Sequence, residues 1–136
     1  MEDAAMRKLG FTALAAISLL VCAGALAGDF DGSRPLLCAT IDAHACDPGF
    51  ICERALPADL GAPRFVSIDF AKKTISGPAR SSPIQFMEKD PAQIAMQGSE
   101  RGYAWTLVLD TRDGTMTATL VNREDAVVVF GNCMAK

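Results

Sequence analysis

The sequence predicts an all-β fold: a small antiparallel meander β-barrel of about eight strands, with a two-sheet β-sandwich as the alternative. Short segments with alternating apolar and polar residues recur along the chain, and Gly, Pro and Asp separate them. From residue 28 onward, no segment has a convincing helical period. The predicted strands lie near 35–42, 64–70, 73–77, 83–88, 93–97, 102–110, 115–122 and 126–132.

The composition is that of a single folded domain, and the charge argues against nucleic-acid binding. The 136 residues are 50% hydrophobic and 21% charged, which is typical of a globular protein. Thirteen Lys and Arg residues are outnumbered by sixteen Asp and Glu residues, which gives a net charge of −3. Binding to phosphates needs a basic excess, so nucleic acid is not an expected partner.

The first 27 residues have the organisation of a secretory signal peptide. Arg7 and Lys8 form a basic region, residues 11–22 form an apolar region, and residues 25–27 read Ala-Leu-Ala, a typical cleavage site. The apolar run is shorter than the roughly 20 residues of a membrane-spanning helix, which disfavours an anchor. Acylation at Cys22 is a further alternative, although apolar sequence continues beyond that cysteine.

Cleavage after Ala27 would leave residues 28–136 as a single β-barrel domain. This part of the chain has no second long apolar run, so we expect no membrane association after cleavage. The expected location is the periplasm, with full secretion as the alternative.

Four cysteines follow the predicted cleavage site, and an exported chain with an even number of cysteines is expected to form disulfides. They allow three pairings. The turn signal Asp-Pro-Gly at 47–49 lies between Cys46 and Cys52 and favours a bond between these two. Cys38 and Cys133 then remain. Their bond would place the first and last strands side by side, as closure of a barrel requires.

Alternation also predicts the register of three neighbouring strands, because cross-strand partners in an antiparallel pair face the same side of the sheet. Trp105 lies at the centre of this predicted meander, and apolar residues oppose it on both sides. The turns are expected at 98–101 and 111–114. The predicted partners are Leu109 with Met116, Leu107 with Ala118, Trp105 with Leu120, Tyr103 with Met96, and Trp105 with Ile94.

The other predicted strand pairs are less regular. A two-residue connection at Ala71-Lys72 places Ile68 opposite Ile75. The next two strands do not align cleanly, since Phe86 meets Ile94 only if a bulge intervenes.

Two segments need a special environment. Residues 53–61 are expected to form a short turn of helix that Pro57 limits. The strand at 126–132 is apolar on both faces, so we expect it to be covered on both sides.

Candidate catalytic and metal-binding residues are few, so we predict no enzymatic activity, no cofactor and no metal site. The chain has one histidine, and it contains no nucleophile elbow, P-loop or dinucleotide-binding motif. Residues 29–33 have the first acidic residues of a calcium loop but lack its later ligands. A cluster of four metal-ligand residue types does not have the spacing of a zinc site: Asp42, His44, Cys46 and Cys52.

Three segments resemble a group of small exported proteobacterial proteins of unassigned function. These segments are FDGSRPLLCATIDAHAC, FVSIDFAKKTISG and VVVFGNC. The resemblance spans nearly all of the chain after the cleavage site. It implies export and a β-rich fold, and it brings no catalytic residues.

A second, weaker likeness is to the periplasmic inhibitors of C-type lysozyme, which are small disulfide-bonded barrels. Their inhibitory loops have a Ser-Gly-x-x-Tyr segment followed by a turn with a lysine. The matching positions here are 99–103 and 111–114. The glycine after Ser99 is missing, Glu100 takes its place, and Arg112 stands where the family has lysine.

Together these features predict a non-catalytic module that binds an unidentified protein partner. The candidate partner-binding residues lie in and beside the two predicted turns: Ser99, Arg101, Tyr103, Arg112 and Asp113. The alternatives are a barrel that binds a small ligand in its interior and a protein similar to the lysozyme inhibitors. A cavity beside Trp105 would indicate a ligand carrier, and a filled interior with rigid projecting loops would indicate the interaction module.

Overall fold

The computed structural model describes residues 28–136, and the predicted signal peptide lies outside the described residues. The fold is all-β, as predicted, with one short 3-10 turn at Pro57–Leu60. The strands are β1 Leu36–Cys46, β2 Glu53–Ala55, β3 Phe65–Asp69, β4 Thr74–Ser76, β5 Ser81–Pro83, β6 Phe86–Lys89, β7 Gln93–Glu100, β8 Tyr103–Asp110, β9 Thr115–Val121 and β10 Ala126–Ala135.

The strands form one antiparallel sheet that curls into a half-barrel. Nine of them follow the order β5-β4-β3-β1-β10-β9-β8-β7-β6, and β2 pairs with the far half of β1. The two ends of this order, β5 and β6, are consecutive in the chain. Between them, the Ile84 N–H donates to the Lys73 carbonyl at 2.8 Å, and the Gln85 N–H donates to the Gln97 carbonyl at 2.8 Å. The two edges of the sheet therefore approach each other along one segment of chain.

Two of the sequence predictions need correction in this region. The single strand predicted at 83–88 is divided into β5 and β6. The division occurs because the Ile84 N–H points toward Lys73, whereas the next N–H, of Gln85, points toward Gln97 of β7. The short turn of helix expected within 53–61 occurs only as the 3-10 helix Pro57–Leu60, and the first part of that segment forms β2. Residues 53–55 are extended because they pair with Ala43, His44 and Ala45 of β1.

The inner face of the sheet is packed with apolar side chains, and Trp105 lies among them with 9% of its surface exposed. Leu107 and Leu109 continue its row along β8. The core cluster consists of Leu36, Cys38, Ile68, Phe70, Ile84, Ile94, Met96, Trp105, Leu107, Leu109, Met116 and Cys133. Phe30, in the segment before β1, packs against this cluster.

Two predicted registers are confirmed. Across the turn at 111–114, the three predicted pairs between β8 and β9 all occur. Ile68 of β3 pairs with Ile75 of β4, although the turn between them is longer than the predicted Ala71-Lys72.

The predicted register between β7 and β8 is wrong by four residues. Ile94 pairs with Leu109, and Gly98 rather than Ile94 pairs with Trp105. The strands continue to Glu100 and Tyr103, and the chain reverses through two residues only. Arg101 and Gly102 have φ angles of 49° and 86°, which suits a tight two-residue hairpin turn. A shift by an even number preserves which residues face the core, so the predicted apolar stripe still faces inward.

The structure gives the register that the sequence left open for the next pair, with Phe86 opposite Gln97 and Lys89 opposite Ile94. Met87 pairs with Met96, and the Phe86 side chain is 53% exposed.

Strands β1 and β10 pair along almost their whole length, with a bulge between Thr40 and Asp42. Cys38 lies directly opposite Cys133, and the two form a disulfide. Both edges of β10 are paired, as expected for this apolar strand. We predicted that both faces of this strand are covered, and for the outer face this is wrong. Among the described residues nothing covers that face at Phe130, whose side chain is 40% exposed. The half-barrel has one layer there, so only the inner face is buried.

Candidate functional site

One end of the half-barrel carries a cluster of loops that the strand registers bring together. Cys46, Ala126, Val121, Ala104 and Ser99 are successive cross-strand partners on β1, β10, β9, β8 and β7. The loops that extend beyond this row are 46–52, 100–103 and 122–125. We call this end of the molecule the disulfide-loop end.

The Cys46–Cys52 loop projects two large apolar side chains into solvent. The disulfide between Cys46 and Cys52 closes the loop, as the Asp-Pro-Gly turn predicted. Within it, the Phe50 N–H donates to the Asp47 carbonyl at 3.2 Å, which forms a tight turn. Phe50 is 80% exposed and Ile51 is 85% exposed. Exposure of two adjacent large apolar side chains on a cross-linked loop is unusual, because folding normally buries such residues.

Three strands at this end of the sheet carry further apolar residues on their outer face. Cys46 faces outward on β1, and its partner Ala126 lies beside it on β10. Val121 on β9 is 45% exposed and pairs with both Ala126 and Ala104. We call Ala126, Val121 and Ala104 the apolar strip.

The charged groups near the loop leave it with an acidic border. Asp47 and Glu53 are exposed on either side of the two apolar residues. Two of the arginines at this end are bound to a carboxylate: Arg54 Nε lies 2.8 Å from Asp42 Oδ1, and Arg123 Nη2 lies 3.0 Å from Glu124 Oε1. The third, Arg101, is exposed in the turn between β7 and β8. The hydrogen bond from the Arg54 guanidinium lowers the pKa of the Asp42 carboxyl.

Three of the five predicted partner-binding residues lie at the disulfide-loop end. Ser99 ends the cross-strand row, Arg101 occupies the tight turn and is exposed, and Tyr103 begins β8. The Tyr103 hydroxyl donates to Asp125 Oδ2 at 3.4 Å. Burial and the adjacent Asp125 carboxylate raise the pKa of Tyr103. Tyr103 is therefore a half-buried residue that supports the neighbouring loop.

The other two predicted residues, Arg112 and Asp113, lie at the opposite end of β8. Arg112 is engaged with its own turn, since its Nη2 lies 2.6 Å from Asp110 Oδ2. Asp113 accepts hydrogen bonds from the backbone and hydroxyl of Thr115. The structure therefore separates the two turns that the sequence analysis grouped into one partner-binding surface.

The interior beside Trp105 is filled by protein. The indole N–H donates to Ser82 Oγ at 2.9 Å, and both residues are buried. The indole lies directly over Gly98, where an added Cβ would stand only 2.3 Å from the Trp105 ring. The indole N–H, which is the polar group of this side chain, therefore has a hydrogen-bond acceptor inside the core.

Two clefts lie elsewhere, and neither is lined by Trp105. One, of about 160 Å³, is bordered by Arg34, Phe70 and Lys89, with Lys89 Nζ 5.4 Å from the centre of the Phe70 ring. The other, of about 440 Å³, has hydroxyl groups along its wall, and Lys136 Nζ donates there to Ser67 Oγ at 2.8 Å.

Within residues 28–136, no group of three or more His, Cys, Asp or Glu side chains is placed to hold a metal ion. Of the four ligand-type residues noted in the sequence, Cys46 and Cys52 are bonded to each other. Asp42 binds Arg54, and the His44 ring contacts Phe130 edge to face with 6.3 Å between ring centres. Asp31, in the segment that resembled a calcium loop, accepts a hydrogen bond from the Ser33 N–H at 2.8 Å.

Phe50 and Ile51 were not predicted as functional candidates, because the sequence between the two cysteines indicates only a turn that joins them. The available signal was the position of two large apolar residues between a Gly and a Cys, in a loop too short to bury them.

No family model, curated protein or solved structure matches this chain. Among the residues described, no helix has the length and apolar character needed to cross a membrane.

Proposed function

We propose that this protein is a non-catalytic protein-interaction module that acts in the periplasm after export. The observation that carries the proposal is the distribution of apolar surface. The core around Trp105 is filled, while large apolar side chains lie exposed outside it, and such exposure is typical of interaction sites. The two disulfides are compatible with an oxidising compartment.

A filled interior disfavours the alternative of a ligand carrier, which would need a cavity of several hundred Å³ lined by apolar side chains. The rigid loops at the disulfide-loop end favour a macromolecular partner instead. One of these three loops is closed by a disulfide, and another reverses in two residues.

The test is native mass spectrometry of the protein purified from its own host after mild amine cross-linking in intact cells. We expect a species heavier than the mature chain by the mass of a second polypeptide in fixed stoichiometry. Cells lysed in denaturant before cross-linking provide the control and should give the chain alone. A bound mass of only a few hundred daltons would favour the ligand carrier, and a bare chain in both samples would contradict the proposal.

A further inference from the structure

We propose that the Cys46–Cys52 loop is the docking element of this protein, and that its partner is a protein with an apolar pocket bordered by Lys or Arg. Phe50 and Ile51 are the anchors that enter the pocket. This inference rests on the proposed function and names the surface and the partner chemistry.

Exposure and rigidity together support the choice of this loop. Phe50 and Ile51 are the two most exposed of the large apolar side chains in the described residues, at 80% and 85%. Large apolar side chains that insert into a partner's pocket provide most of the affinity in many interfaces. The disulfide restricts the loop before binding, which reduces the conformational entropy lost on binding.

The apolar strip gives the contact a width beyond the loop itself. Ala126, Val121 and Ala104 extend from the disulfide across β10, β9 and β8. Backbone hydrogen bonds of the sheet hold these residues in place, so the strip offers a rigid floor beside the projecting anchors.

The charges favour a protein over a lipid surface. Segments that insert apolar side chains into membranes usually have Lys or Arg beside them, because the lipid surface is anionic. Here Asp47 and Glu53 flank the anchors, and Arg54 and Arg123 are already bound to carboxylates. The exposed Arg101 lies in the neighbouring turn and not in the loop that carries the anchors. An acidic border instead complements basic side chains around a pocket on the partner.

The first experiment places a photo-cross-linking phenylalanine analogue at one of three positions in the exported chain. Position 50 probes the loop, position 101 probes the neighbouring turn, and position 86 is the control, since Phe86 is 53% exposed outside the strip. After irradiation of intact cells, we expect a discrete protein adduct at position 50 and none at position 86.

The second experiment measures Kd between the purified protein and the cross-linked partner, once that partner is identified and purified. Phe50→Ser should weaken binding about 30-fold, which is typical of an anchor residue, and Phe86→Ser should leave Kd unchanged. Cys46→Ser/Cys52→Ser should weaken binding about tenfold while Cys38–Cys133 preserves the fold.

Asp47→Lys/Glu53→Lys should also weaken binding, and the wild-type Kd should rise with NaCl concentration.

Several results would overturn this inference. In the cross-linking experiment, the contradicting results are adducts at position 50 with lipid alone or with a second copy of the chain alone. A protein adduct at position 101 without one at position 50 would also contradict it. In the binding experiment, the contradicting result is an unchanged Kd for Phe50→Ser. The proposed function itself fails separately, if the unmodified protein forms no complex with another protein in the cross-linking and mass-spectrometry test.

Discussion

Trp105 shows how one residue connects distant parts of this sheet. Its ring starts on β8, crosses β7 above Gly98 and reaches Ser82 on β5. Ser82 Oγ in turn donates to the Ser99 carbonyl at 3.2 Å. This chain of contacts joins β5, at one end of the strand order, to β7 and β8 near the other end. The sequence predicted a buried Trp105, but it did not predict the partner of the indole N–H, because Ser82 is distant in sequence and lies in the strand whose register was unclear.

We therefore predict that Trp105→Ala lowers the free energy of unfolding by about 3–5 kcal/mol, as expected for a buried aromatic residue. Ser82→Ala should lower it by about 1–3 kcal/mol, because the buried indole N–H loses its acceptor. Urea unfolding followed by circular dichroism provides the measurement. Thr117→Ala, on the exposed face of β9, is the control and should stay within about 0.5 kcal/mol of wild type. Wild-type stability in both test variants would mean that Trp105 does not hold β5 against β7 and β8.

At the scale of elements, the sequence predicted strands well and turns less well. The β8–β9 hairpin was predicted correctly because Asp113 and Gly114 mark its turn, and the flanking alternation permits one register. The β7–β8 hairpin was misplaced because Gly98 looked like a turn residue. Gly98 is instead a strand residue that gives room to the indole, which depends on packing between strands that are distant in sequence. The actual turn begins at Arg101, whose positive φ is uncommon outside glycine.

The turn between β8 and β9 also gives the fold a measurable dependence on acid. Hydrogen bonds from Arg112 lower the pKa of Asp110 to about 2, from an ordinary value of 3.8. The stabilisation is thus fully present above the unfolded pKa and is lost as pH falls through the folded pKa. We predict that the free energy of unfolding falls less between pH 5 and pH 2 in Arg112→Met than in wild type. Urea titrations at each pH provide the measurement. Arg123→Met removes a more exposed ion pair and should retain the wild-type pH dependence. An identical pH profile for Arg112→Met and wild type would contradict this role.

At the scale of the whole molecule, the fold class and both disulfides could be predicted, whereas the candidate site could not. Turn chemistry identified the Cys46–Cys52 pair, and elimination identified Cys38–Cys133. The site depends on which loops share one end of the sheet. That arrangement follows from the registers of β1, β10, β9, β8 and β7 together, and one of these registers was wrong. Arg112 and Ser99 were grouped by their likeness to the lysozyme-inhibitor loops, although the turns before and after β8 lie at opposite ends of that strand.

The two disulfides should differ in their contributions to stability. Cys38 and Cys133 are 95 positions apart, and Cys46 and Cys52 are 6 apart. Chain entropy predicts losses of about 4.7 kcal/mol and about 2.4 kcal/mol when the long and short loops are opened. Guanidinium unfolding of Cys38→Ser/Cys133→Ser and of Cys46→Ser/Cys52→Ser tests this order. A larger loss from the short loop would contradict it.

If the chain is exported as we propose, the pairing of β1 with β10 also affects how the protein matures. In a chain that crosses the membrane from its N-terminus, Cys38, Cys46 and Cys52 enter the oxidising compartment before Cys133. Oxidation in order of arrival would first join Cys38 to Cys46, which is a non-native bond. Reaching the native pairs then requires thiol–disulfide exchange after the last strand has emerged. We therefore expect the yield of native protein in its host to depend on a disulfide isomerase as well as on an oxidant.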